Sequence, residues 1–330
     1  MSSGNAKSGK KKTAAPKQKK AKASRAARSE SSASQSAGSV DFLVGRDREL
    51  SQLRACVRAG RNVLLEGPVG VGKTHLALSA VQGLGRPFFR VDGDSRYTEQ
   101  KLSGWFDPPA VIRKGFTEAA FVPGPLLQAM REGGVLFINE LNRLPEGVQN
   151  ILLPAIDEGQ VSVPKLGVIH ARPGFSVVAT QNPKEFVATS HLSEAILDRF
   201  ELVLMDYQTE AEELAIVEGK LGAKLPEALN PALPLAAVIL TRATRSHPRI
   251  RRGASVRAAI SIAELCLALM EDSDSLSWTE AFASAVSLAL PTRIELERDV
   301  ESDVSPQEDL RGLLKELVND ALSGAEKKKN

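Results

Sequence analysis

The segment Gly67-Pro68-Val69-Gly70-Val71-Gly72-Lys73-Thr74 fits the pattern G-x-x-x-x-G-K-[ST]. Glycines admit positive φ, so the backbone N–H groups of such a loop can turn inward around phosphate oxygens. A helix that follows the loop adds the positive end of its dipole. In this arrangement Lys73 meets the β- and γ-phosphates, and the Thr74 hydroxyl ligates Mg²⁺. The chemistry expected here is binding of ATP together with Mg²⁺.

Hydrolysis needs further groups around the attacking water and the metal. The apolar run Gly134-Val135-Leu136-Phe137-Ile138 ends in Asn139-Glu140, in the form of a Walker B motif. Glu140 is the residue expected to orient or polarise the water. Asn139 stands where an aspartate is expected on the metal side. Its amide oxygen accepts a hydrogen bond from a magnesium-bound water but brings no negative charge, so weaker metal binding or slower turnover is expected. A third run, Phe175 to Gln181, ends at Asn182-Pro183. Asn182 at a strand end beside the loop can hold the water or the γ-phosphate, although Asn-Pro is also a turn signal.

Residues at the ends of strands imply a sheet that brings those ends together. Short apolar runs alternate with amphipathic stretches from Val40 onward, the pattern of an α/β fold. Strands are expected at Asn62 to Glu66, Pro87 to Val91, Gly134 to Asn139, Phe175 to Gln181 and Phe200 to Asp206. Helices are expected at Arg46 to Ala59, Lys73 to Leu84, Pro125 to Glu132, Glu146 to Glu158 and Ser193 to Arg199. Near-continuous apolar strands suit a parallel sheet covered on both faces. Between Gln160 and Ala171 the spacing of Val161, Val163, Leu166 and Val168 around Lys165-Leu166-Gly167 predicts a hairpin.

After Asp206 the strand signals stop. Thr209 caps a helix opening with Glu210, Glu212 and Glu213, and helical patterns follow over Pro234 to Arg245, Ser255 to Met270 and Trp278 to Ala289. A further helix is expected over Asp309 to Leu322, with a frayed lysine run at Lys327 to Lys329. The expected organisation is a basic tail over 1–38, an α/β nucleotide-binding core over 39–207, an all-helical lid over 208–293 and a helical or flexible segment over 294–330.

Composition bounds the rest. Residues 1–38 are rich in Lys, Arg, Ala, Ser and Gly with Glu30 as the lone acid, which predicts disorder. Lys10, Lys11, Lys12, Lys19 and Lys20 offer electrostatic contact to nucleic acid or another polyanion, or serve only as a solubilising tail. The remainder is mildly acidic, which argues against a dedicated DNA-binding face. No apolar run approaches the roughly 20 residues that span a bilayer, and no apolar segment follows the early charges as in a secretory signal. Cys56 and Cys266 read as buried thiols of a cytoplasmic protein, and no Cys/His cluster has metal-ligand spacing.

With the loop, Asn139-Glu140 and Asn182 in order, residues 40–293 resemble an AAA+ ATPase of the MoxR family. The resemblance is carried by Asn139-Glu140-Leu141-Asn142-Arg143, Asp157-Glu158-Gly159-Gln160-Val161, Ala179-Thr180-Gln181-Asn182-Pro183, Leu197-Asp198-Arg199-Phe200 and Gly253-Ala254-Ser255-Val256-Arg257. It implies that Asn182 is sensor 1 and that Arg199 is an arginine finger offered to a neighbouring subunit's ATP. It also implies that Arg257 is the sensor 2 arginine and that Val44-Gly45 lie against the adenine. Read from the residues alone, Arg199 before a buried strand can also be a plain helix C-cap, and Arg257 a surface residue among Arg249, Arg251 and Arg252.

A finger acting in trans implies a homo-oligomeric ring, in this family a hexamer. The resemblance further implies a partner bearing a von Willebrand factor A domain and a protein substrate that is remodelled or activated. Two other readings stay open at this point. Asn139 is compatible with an ATP-binding switch or scaffold with weak hydrolysis, and the basic tail with a DNA-associated motor.

Overall fold

The structure is a computed structural model and describes residues 43–182, 192–272, 275–297 and 305–329. The expected basic tail and Pro183 lie outside the described residues. From the first described residues the chain runs α1 (Asp47–Arg58), β1 (Asn62–Glu66), α2 (Lys73–Gly83) and β2 (Phe88–Asp92). Next come α3 (Glu99–Ser103), β3 (Gly104–Phe106), α4 (Pro108–Lys114), β4 (Phe121–Pro123), α5 (Pro125–Glu132) and β5 (Val135–Asn139). Then follow α6 (Glu146–Asp157), β6 (Gln160–Val163), β7 (Gly167–His170), β8 (Ser176–Gln181), α7 (Glu194–Leu197) and β9 (Phe200–Leu204).

Five strands form one parallel sheet in the order β2-β5-β8-β1-β9. Successive side chains on a strand point to opposite faces, and here the alternation divides the core into two layers. Val63, Leu65, Val135, Phe137 and Val178 pack under α1 and α2 with Leu53, Val57, Leu76 and Val81. Their chain neighbours Leu64, Leu136, Ile138, Val177 and Ala179 pack on the other face with Leu126, Leu127, Met130 and Leu152 of α5 and α6. A sheet buried on both faces is why these strands read as continuous apolar runs.

The five sheet strands and their helices fall within two residues of the expected bounds. Strand β9 stops at Leu204, yet Met205 N–H still donates to Glu66 O at 2.8 Å, so pairing continues past the regular strand. The hairpin forms as antiparallel β6 and β7, with Lys165 at φ 70° in its turn. Between β2 and α5 the chain carries α3, α4 and the antiparallel pair β3–β4, for which the sequence offered no strong period. Each element there is seven residues or fewer, too short for periodicity to speak.

The helical region follows as α8 (Glu210–Leu221), α9 (Ala232–Ser246), α10 (Val256–Glu271), α11 (Trp278–Ala289) and α12 (Pro306–Lys329). Helix α8 opens on a full capping box, Thr209 with Glu212. Leu313, Leu314, Leu317, Val318, Ala321 and Ala325 of α12 are buried in the same core as α9, α10 and α11. The last helix is therefore packed, and it continues through Lys327 to Lys329 instead of fraying before them. A short antiparallel ribbon also sits in this region, β10 (Ile250–Arg252) with β11 (Glu295–Leu296). Among the described residues no helix is long and apolar enough to cross a membrane.

Candidate nucleotide site

Because the sheet is parallel, the C-terminal ends of its strands share one edge. The register places Glu66 beside Gln181 and Leu204, and Asp92 beside Asn139. The loop that leaves β1 at this edge takes φ 82° at Gly70 and 94° at Gly72, backbone that L side chains strain to adopt. Helix α2 begins at Lys73 directly after Gly72. The Lys73 ammonium donates to Gly67 O at 2.6 Å and Pro68 O at 2.9 Å, so it reaches back across the loop. Positive-φ glycines, a helix N-terminus and a cation folded over them form a cradle suited to a polyphosphate.

Beside the cradle, Thr74 Oγ1 lies 3.4 Å from Asn139 Oδ1. A hydroxyl and an amide oxygen are hard, neutral donors. They fit Mg²⁺, which takes few protein ligands and completes its shell with phosphate oxygens and water. Asn139 Oδ1 also accepts from the buried Thr180 hydroxyl at 3.1 Å, and Thr180 Oγ1 accepts the Glu140 N–H at 2.8 Å. Asn139 Nδ2 donates to Asp92 Oδ1 at 3.1 Å.

Glu140 takes the left-handed conformation, φ 59° and ψ 58°, uncommon for a non-glycine residue. The Thr180 hydroxyl holds that backbone in place. Its carboxylate pairs with Arg143 at 3.2 Å and stays partly exposed. Asn182 is buried just past the end of β8, one residue beyond Gln181, whose amide is bonded to Glu66. Backbone strain at a would-be water-orienting residue is typical of a site held rigidly by its surroundings.

The helical region meets the loop directly. A methyl group built on Gly70 would come within 3.0 Å of Ser255 Oγ and within 3.8 Å of Arg257 Cδ. Exposed Arg257, in the first turn of α10, thus stands beside the phosphate loop. Val44 O accepts from Gln208 Nε2 at 2.9 Å, and Gly45 packs against Glu212. The structure therefore brings Val44, Gly45, the loop from Gly67 to Thr74, Asn139, Glu140, Asn182 and Arg257 to one edge of the sheet.

Arg199 is not among them. It precedes β9, and Phe200 is in register with Asn62 at the opposite end of β1 from Glu66. A strand of this length separates the two edges by about 13 Å. There the Arg199 guanidinium pairs with Asp157 at the end of α6 and with Ala195 O.

Two groups escaped the sequence reading. Arg46 is only 5% exposed, and its Nη2 donates to Val71 O at 3.2 Å and Asp206 O at 2.6 Å, tying the phosphate loop to the end of β9. Glu213, 1% exposed, pairs with Arg242 at 3.2 Å and Arg245 at 2.8 Å. Arg245 also stacks 3.9 Å over the Tyr207 ring and donates to Ala254 O at 2.8 Å, just ahead of α10. Burial pushes the Tyr207 phenol pKa up. A buried acid in a helix's acidic first turn reads, in sequence, as an ordinary dipole partner, which is why Glu213 gave no signal.

This geometry agrees with what comparison shows. Residues 62–200 match the AAA domain of the dynein-related subfamily. Over 273 residues the chain is 31% identical to gas vesicle ATPase GvpN2 of Halobacterium salinarum, covering 77% of this chain and 76% of that one. It is 35% identical over 156 residues to the uncharacterized protein SH1500 of Staphylococcus haemolyticus, spanning 59% of that relative's length. Among solved structures, NtrX of Brucella abortus in complex with ADP superposes with a TM-score of 0.55 at 18% identity, over 87% of this chain and 65% of that one. A point mutant of Thermotoga maritima RuvB gives 0.51 at 21% identity, over 76% of this chain and 72% of that one. Both structural likenesses are likenesses of fold. From the phosphate cradle, the sheet edge that completes it and the kinship with GvpN2 over three quarters of both chains, the chain belongs to the AAA family of ATPases, dynein-related subfamily.

Proposed function

We propose that the chain is a Mg²⁺-dependent ATPase that works as a ring and uses hydrolysis to remodel a protein partner, in the manner of the MoxR group. The observation that carries this reading is the hydrogen-bonded run from the Glu140 backbone through Thr180 to Asn139, which ends beside Thr74 at the mouth of the phosphate loop. In this reading the loop amides and Lys73 bind the phosphates. Bound Mg²⁺ would offset charge on the β- and γ-phosphate oxygens, with Thr74 and Asn139 on its protein side. Glu140 orients the water, Asn182 holds its far side, and Arg257 reaches the γ-phosphate from the helical region. Val44 and Gly45 flank the base.

Arg199 faces away from its own chain's site, so in this proposal it serves the site of a neighbouring subunit. A cation at the transferring phosphoryl group contributes roughly a thousandfold or more in rate. The ring, hexameric by resemblance, presents the partner-facing surface, and a von Willebrand factor A domain protein is the partner class proposed.

The test is phosphate release by purified protein with Mg²⁺, compared with Glu140→Gln and Lys73→Ala. Both variants are expected to lose about a hundredfold or more. Wild-type turnover no higher than theirs, with partner present, rejects the enzyme reading in favour of a nucleotide-binding switch.

The relation to GvpN2 favours a second, narrower reading in which the remodelled assembly is a gas vesicle. Replacing the corresponding gene in a gas-vesicle-forming host tests it. Restored vesicles support it, and their absence with normal expression rejects it.

A further inference from the structure

We infer that Asp92 is the positioning residue that lets an asparagine stand at position 139: by accepting the Asn139 NH₂ it turns the amide oxygen toward Thr74. The inference rests on the reading of Thr74 and Asn139 as the metal side of the ATP site.

An asparagine side chain has two nearly isosteric faces, one an acceptor and one a double donor. A carboxylate at this position would present oxygen whichever way it turned. An amide presents oxygen in only one of its two orientations, and in the other it aims N–H bonds at the metal-binding hydroxyl. Something must therefore select the orientation.

The hydrogen-bond directions around Asn139 make that selection. Thr180 Oγ1 accepts the Glu140 N–H at 2.8 Å, and its own single proton is donated to Asn139 Oδ1 at 3.1 Å. On the other side, Asn139 Nδ2 donates to Asp92 Oδ1 at 3.1 Å, and an ionised carboxylate can only accept. Donation thus runs in one direction from Glu140 through Thr180 and Asn139 to Asp92. Flipping the amide would set Asn139 Oδ1 against a carboxylate oxygen, two acceptors at hydrogen-bond distance.

Asp92 is held where this requires it. It is the register partner of Asn139 on the neighbouring parallel strand, and Gly93 N–H extends the ladder by donating to Asn139 O at 2.7 Å. A methyl group on Gly93 would fall within 3.0 Å of Glu140 O, so this close approach needs glycine. Arg90, two residues back on the same face, grips the Asp92 carboxylate with Nε at 3.0 Å and Nη2 at 2.7 Å. The negative charge that an aspartate would have brought to position 139 is thereby held one strand away, paired with a cation.

Two readouts test this on the full chain. The first is the gain in affinity for a fluorescent ATP analogue when Mg²⁺ replaces EDTA. Asp92→Ala is expected to lose about tenfold of that gain while binding in EDTA is unchanged, the size of one hydrogen bond to a charged group. The exchanged pair Asp92→Asn with Asn139→Asp keeps one acid and one amide and is expected to recover it. The second readout is the Asn139 side-chain NH₂ signal in asparagine-labelled protein without nucleotide, expected to shift in Asp92→Ala. Wild-type Mg²⁺ gain and an unmoved NH₂ signal in Asp92→Ala, or no recovery in the exchanged pair, overturn the inference. If wild type itself shows no Mg²⁺ gain, the metal reading of the site fails, while the NH₂ signal still reports whether Asp92 orients the amide. If Asp92→Ala does not fold, the exchanged pair decides: a Mg²⁺ gain below wild type overturns the inference.

Discussion

Gly70 in the phosphate loop faces Ser255 of the helical region so closely that a methyl group on Gly70 would lie within 3.0 Å of both Oγ and Cβ of the serine. Glycine is required there twice over, by this approach and by its φ of 82°. Gly70→Ala is expected to weaken ATP binding about tenfold or more, from backbone strain of roughly 1–2 kcal/mol with the overlap on Ser255 added to it. Ser255→Gly in that background should recover part of the loss, because it removes the atoms in the way. Calorimetric titration of ATP into the two variants measures this, and no recovery would show that the helical region does not bear on the loop.

Glu213 is buried between Arg242 and Arg245, and the latter reaches on to Tyr207 and Ala254. Removing one partner of a buried charge cluster leaves the others uncompensated, at about 3–5 kcal/mol. Glu213→Ala should lower the unfolding free energy read from urea titration accordingly, whereas exposed Glu201→Ala, whose pairing with Arg61 is long at 3.9 Å, should change it by under about 0.5 kcal/mol.

Arg199 and Lys73 lie at opposite edges of one sheet, so one chain cannot apply both to the same phosphate. Arg199→Ala and Lys73→Ala are each expected to be inactive alone. Mixed together, they should regain activity, because in the proposed ring an intact loop then stands next to an intact arginine. Phosphate release by the mixture checks this, and a silent mixture removes Arg199 from the proposed site.

Burial pushes the Cys266 thiol up to about 12. In the unfolded chain a thiol ionises near 8.5. Below that value the contribution is fully present. Above it the unfolded state loses a proton that the folded state keeps, so stability falls as pH rises toward 12. Wild type should therefore lose more stability between pH 8 and pH 10 than Cys266→Ala, as read by denaturant midpoints at each pH.

The core strands and the long helices were legible because each is a local pattern. Val135 to Ile138 form a continuous apolar run because both faces are covered, and Thr209 with Glu212 spell out a capping box within four residues. The segment from Glu99 to Pro123 was not legible, since elements of three to seven residues carry too little period to separate from loop. Ribbon β10–β11 was missed for a similar reason, its strands being three and two residues long.

Within the site, the sequence alone determined the phosphate loop and the residues at the strand ends, because glycine backbone freedom and helix initiation act over a few neighbouring residues. It also showed that Asn139 lacks the charge expected of its position. Which way that amide points was decided only by the tertiary structure. Asp92, Thr180 and Thr74 are far from Asn139 along the chain; parallel strand pairing brings Asp92 and Thr180 to it, and the packing of α2 on the sheet brings Thr74. The same holds for Arg46, whose partners Val71 and Asp206 meet at the sheet edge. A residue's chemistry is carried by its type, but its hydrogen-bond partners are set by register, and register is settled by packing the two faces of the sheet.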